Sequence, residues 1–127
     1  MLDPQVTHLL ETAVNTSCKL AIMLQFYEHG ALTATASQMA RRVCRDIWSV
    51  EAALDELTED GILCRRDQHF VCKACTDLKA QLQLLSETYA HPLQRNELQQ
   101  LLRDLERYAP YRKELPQRFF QSQSIAA

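Results

Sequence analysis

Six basic side chains fall into two short groups, Arg41, Arg42 and Arg45 in one and Arg65, Arg66 and Lys73 in the other. The chemistry open to them is phosphate neutralisation, because an arginine or lysine set against a nucleic-acid backbone releases condensed counterions whatever the base sequence. Between the groups, Trp48, Ser49 and Ala52 stand off an apolar stripe and point outward near the start of a helix, where side chains can reach base edges. His69 lies close to Arg65 and Arg66 and joins them as a candidate contact.

The same region carries an opposing signal. From Asp46 to Asp60 there are six acids (Asp46, Glu51, Asp55, Glu56, Glu59 and Asp60) and no base, and Ala31 to Cys75 holds six bases against seven acids. Carboxylates repel phosphate, so an acidic helix carrying an outward Trp48 also fits a protein partner rich in lysine and arginine. A third chemistry is open to Cys64, His69, Cys72 and Cys75, where CKAC supplies a CxxC spacing and thiolates with an imidazole suit zinc or a redox response. A single CxxC without a second pair is a weak metal signal, and cysteine also packs as a small hydrophobe. No metal or other cofactor is therefore expected, and with no export signal the five cysteines are expected to be reduced thiols. His8, His29, His69 and His91 have no nucleophile at motif spacing, and no HExxH, GxSxG or phosphate-cradling glycine loop occurs, so an enzyme is not expected.

The elements that must position these residues can be read from spacing. Thr35 with Gln38 forms a capping-box pattern ahead of Ala36, Met39, Ala40 and Val43, which recur on one helical face. Cys44-Arg45-Asp46 interrupts that helix, and Asp46 caps a second one. There Ile47, Val50, Leu54 and Leu57 form a buried stripe, and Gly61 supplies the stop. Ile62-Leu63-Cys64-Arg65 and Phe70-Val71-Cys72 then flank a polar tip, Arg66-Asp67-Gln68-His69, as a two-stranded hairpin requires.

Upstream, Pro4 to Glu28 keeps helical spacing, with a weak stretch at Asn15-Thr16-Ser17 where Thr16 or Ser17 can cap a second helix. The spacing leaves open whether one helix or two result. Downstream, Leu78, Leu82, Leu85 and Tyr89 alternate spacings of four and three as a coiled-coil seam does, while His91-Pro92 breaks the pattern. Leu98, Leu101, Leu102, Leu105 and Tyr108 build a further helix, and the tail has little to bury beyond Phe120.

Helix, Met39-Ala40 pair, turn, helix with LDEL, then a DGIL strand start: this order resembles bacterial winged helix-turn-helix transcriptional regulators of the MarR and ArsR type. The resemblance covers about the middle third of the chain and the helix before it. It implies a mainly α fold, a three-helix core with a two-stranded β-wing and added terminal helices, acting on double-stranded DNA as a homodimer paired through those helices. The same leucines can instead cover their own core.

One domain is expected, with residues 4–29 as an N-terminal helical region, 31–75 as helix-turn-helix and wing, 76–109 as dimerising helices and 110–127 as tail. A net charge of −2 excludes a protein that coats nucleic acid through a broad basic surface. The absence of a long apolar run or a basic, apolar leader predicts no membrane partner and a cytoplasmic location. The leading expectation is a DNA-binding transcriptional regulator, with a winged-helix protein-interaction module or a thiol- or metal-responsive sensor as alternatives.

Overall fold

The computed structural model describes residues 2–73 and 76–107. Tyr108, the tail and Cys75 of the CKAC motif lie outside the described residues. Two helices, α1 (Pro4–Thr12) and α2 (Ser17–Glu28), precede a short strand β1 (Thr33–Thr35) and the pair α3 (Ala36–Val43) and α4 (Ile47–Glu59). A hairpin of β2 (Leu63–Arg66) and β3 (His69–Cys72) follows, then α5 (Lys79–Ala90) and α6 (Pro92–Arg107).

The helix boundaries have local causes. Asp3 caps α1 and Pro4 opens it. Thr16 then starts α2 afresh by accepting from the Lys19 N–H at 3.1 Å, so the N-terminal stretch is two helices. The Thr35–Gln38 capping box is present in both directions, and Asp46 accepts from the Ser49 N–H at 2.8 Å to start α4. Helix α4 stops at Gly61, whose φ of 85° lies in the left-handed region open to glycine. There the Gly61 N–H donates to the Thr58 carbonyl and the Ile62 N–H to the Leu57 carbonyl, the two bonds of a Schellman cap, with Ile62 and Leu57 both buried beside it. Helix α3 ends on a left-handed residue too, but here it is Cys44 at φ 56°.

The sheet has three strands in the order β1-β3-β2, all antiparallel, rather than the two expected. β1 escaped notice because three residues cannot display an alternation. Its place is set by pairing with distant backbone, Thr33 with Val71 and Ala34 with Phe70. The hairpin tip is tighter than expected, since Arg66 and His69 are a cross-strand pair and only Asp67 and Gln68 turn the chain, with Asp67 at φ 58°.

Helix α2 is the centre of the packing and touches α3, α4, α5 and α6. Cys18, Lys19, Leu20, Ile22, Met23, Leu24 and Phe26 are all buried, so it is covered almost all round, as a helix without a polar face must be. Val50, Ala53, Leu54 and Leu57 of α4 and Met39 of α3 meet it, while Ile47, expected in the same stripe, is only half-buried. Each fully buried aliphatic side chain contributes about 1.5–3 kcal/mol.

The break at His91-Pro92 separates α5 from α6, which pack on each other. Leu78, Leu82, Leu85, Leu98, Leu102 and Leu105 are all buried within one copy of the chain, against α1, α2 and the opposite member of the pair. Glu106, near the end of α6, reaches back to the start of α2 and accepts from the Ser17 N–H at 3.0 Å and the Ser17 hydroxyl at 3.3 Å. A carboxylate at a helix N-terminus meets both the unsatisfied donors and the positive end of the dipole.

Candidate nucleic-acid interface

Helix α4 sends Val50, Ala53, Leu54 and Leu57 inward, so its opposite stripe, at spacings of four, three and four, is Trp48, Ala52, Asp55 and Glu59. All four are exposed, and Trp48 is 78% exposed, far more than a tryptophan that only fills space. Ser49 is also exposed, but it lies on the flank shared with Glu56, which faces α2. Trp48 and Ala52 lie on the outward face beside it.

On the Glu56 flank stands an ion pair. The Lys19 ammonium, in a side chain only 4% exposed, donates to Glu56 Oε1 at 2.8 Å and to Asn15 Oδ1 at 2.9 Å. Reading by motif passed over Lys19; the available signal was a lysine flanked by Cys18 and Leu20 in a run that is otherwise apolar on every face. Burial forces such a charge to find a partner.

On the other flank, Glu51 and Asp55 line a polar cleft of about 290 Å³ with Thr35 and Ser37 at the start of α3 and with Arg65 and Gln68 of the hairpin. Among the described residues, Glu51, Asp55 and Glu59 form no ion pair.

The arginines divide between free and tethered. Arg41, Arg45 and Arg66 are exposed with no side-chain bond among the described residues, whereas Arg42 donates to Gln25 Oε1 at 3.4 Å. Arg65 lies across the Phe70 ring at 5.7 Å, and its Nε donates to the Asp67 carbonyl at 3.1 Å. Alternation along the strand puts Arg65 with Phe70 on one face of the hairpin, and Arg66 with His69 on the other. The structure thus sets Arg65 on the cleft beside α4 and Arg45 in the turn that leads into it, but does not gather the arginines into a single patch.

The same register splits the cysteine and histidine set. Cys64 pairs with Val71 and shares a face with His69, whereas Cys72 pairs with Leu63 on the opposite face. Cys72, half-buried at the end of β3, is also disulfide-bonded, which corrects the expectation of reduced thiols throughout. A disulfide sulfur is not a thiolate ligand, so Cys72 in this state cannot serve zinc. Cys18, Cys44 and Cys64 are free. Burial pushes the Cys18 thiol up, partly offset by the nearby Arg45 guanidinium; Asp46 and Glu106 act on it in the other direction.

The Ser49 N–H, by donating to the Asp46 carboxylate, holds that acid below the usual carboxylate range. A carboxylate whose folded-state pKa is depressed contributes stability that is complete above the unfolded value, near pH 4, and is lost as pH falls through the folded value. Urea midpoints measured from pH 5 to 2 are therefore expected to fall more steeply for the parent than for Asp46→Asn, which keeps a capping oxygen without a titrating proton.

No helix among the described residues is long and apolar enough to cross a membrane. No protein-family model, curated protein or solved structure matches the chain.

Proposed function

We propose that this chain is a winged-helix DNA-binding regulator in which α4 is the recognition helix and the β2–β3 hairpin is the wing. The reading rests on one observation above the others. Arg45 lies in the turn that leads into the exposed Trp48 end of α4, Arg65 lines the cleft beside Glu51 and Asp55, and among the described residues Arg41, Arg45 and Arg66 have no acidic or side-chain partner. Element order adds support, since two helices joined through a three-residue turn and followed by a hairpin are the parts that such a module uses to enter a major groove. Glu51 and Asp55, in no ion pair among the described residues, are compatible with it, because a carboxylate can accept from the amino group of cytosine. Two copies on a two-fold site belong to the same proposal, but the leucines buried within each copy are not the surface that pairs them.

Four phosphate contacts give a salt slope of about −3.6, so affinity for duplex DNA is expected to fall on the order of a hundred-fold between 50 and 200 mM salt. Fluorescence anisotropy of labelled duplexes reads this directly. Arg66→Ala and Arg65→Ala should each flatten the slope by about 1 on every sequence, whereas Ser49→Ala should change which sequences are preferred. Absence of binding at the lowest salt overturns the proposal.

A second reading has its own observation. Trp48, Asp55 and Glu59 form one exposed face on α4 that is unpaired among the described residues, which is what a basic protein segment would recognise. Failure to bind DNA together with retention of a lysine- and arginine-rich peptide would select it.

A further inference from the structure

The outward stripe of α4 and the flank beside it have an unusual composition for a surface left to water: an exposed tryptophan at one end and, along the rest, the carboxylates of Asp55 and Glu59 on the stripe and Glu51 on the flank, none of them in an ion pair among the described residues. The chain contains a segment of complementary chemistry. Residues 108–127 hold Arg112, Lys113 and Arg118 against Glu114 alone, a net charge of +2, so residues 1–107 carry −4 of the total of −2. Tyr111, Phe119 and Phe120 are interleaved with those bases.

The fold starts that segment within reach of α4. Glu106 is hydrogen-bonded to Ser17 at the start of α2, and Lys19, two residues further on, holds Glu56 on the flank of α4. Arg45 and Asp46, at the entrance to α4, act electrostatically on Cys18 between them. The chain therefore leaves α6 at the start of α2, on the side where Lys19 reaches the Glu56 flank of α4. Arg112 and Arg118 follow Arg107 by five and eleven residues, which reach at most about 18 and 40 Å, and a 13-residue helix is about 20 Å long.

We propose that residues 108–127 dock on the outward face of α4, with Arg112, Lys113 and Arg118 pairing with Glu51, Asp55 and Glu59 and the aromatic residues covering Trp48. The docked segment occupies the face that any other partner of α4 must use, so binding elsewhere requires its displacement. The inference concerns that face alone and does not depend on the DNA reading.

Trp48 is the only tryptophan, so its fluorescence reports this face without interference. In the full chain at low salt, Trp48 is expected to be shielded from acrylamide. The triple charge reversal Arg112→Glu, Lys113→Glu, Arg118→Glu removes three exposed ion pairs worth about two-fold each, and should shift the docked-to-free ratio roughly ten-fold toward free. Adding Glu51→Lys, Asp55→Lys and Glu59→Lys to that variant should restore the shielding. Equal quenching of the parent and the tail variant overturns the proposal, and needs no folding of the α4 variant to be read. Shielding that grows with protein concentration also overturns it, because the occupant is then a second copy. DNA binding is scored separately by anisotropy, so loss of one reading is distinguishable from loss of the other.

Discussion

Glu56→Ala is expected to lower stability by roughly 2–3 kcal/mol and to do so more severely than Lys19→Met. The asymmetry follows from burial, since the Lys19 side chain is 4% exposed and that of Glu56 is 52% exposed. Removing the acid leaves an ammonium group inside the packing around α2 with only the Asn15 amide as acceptor. Breaking a fully buried pair costs about 3–5 kcal/mol, and the lower figure applies because Glu56 already stands half in water. Lys19→Met keeps the stem volume and removes the charge, and both Glu56 and Asn15 can turn to water, so its cost should stay under about 1.5 kcal/mol. Urea denaturation of the two variants tests the ordering. A Lys19→Met loss equal to or greater than that of Glu56→Ala would show that the ammonium is not confined by the fold.

Leu85→Ala should cost about 2–5 kcal/mol, the range for emptying a fully buried aliphatic site, and the loss should be the same at every protein concentration. The spacing of Leu78, Leu82 and Leu85 suits a seam between two chains, in which case truncation would make stability concentration-dependent. In the structure these side chains are covered by the chain's own helices. Leu93, 70% exposed on α6, supplies the control, and its replacement by alanine should stay within about 0.5 kcal/mol.

What could be read from the residues depended on whether the cause was local. Thr35 with Gln38, Asp46, Gly61 and the His91-Pro92 break each act within one turn of the backbone, and each lies where spacing predicts it. The boundary at Thr16 was open because Asn15-Thr16-Ser17 can continue a helix or cap one; the packing of α1 on α5 and of α2 on its other neighbours goes with the two-helix outcome. β1 and the tether from Glu106 to Ser17 join residues far apart in the chain, and no periodicity announces such a contact. In the candidate site, exposure of Trp48, Ser49 and Ala52 followed from the apolar stripe of α4, and the structure agrees. The separation of Arg65 from Arg66 and of Cys64 from Cys72 depends on strand register, which spacing alone left unread. The disulfide at Cys72 was missed because the argument for reduced thiols was one of compartment rather than geometry.

The hydrogen bond from Ser17 to Glu106 spans 89 residues, and α1 rests on α5. During synthesis the first two helices emerge without the surfaces that will cover them, so the part of α2 that packs on α5 and α6 stays open to solvent until those helices have left the ribosome. Completion of the native state is thereby tied to the synthesis of α5 and α6, and a ribosome paused before α6 would hold a nascent chain with an apolar helix in reach of chaperones and proteases.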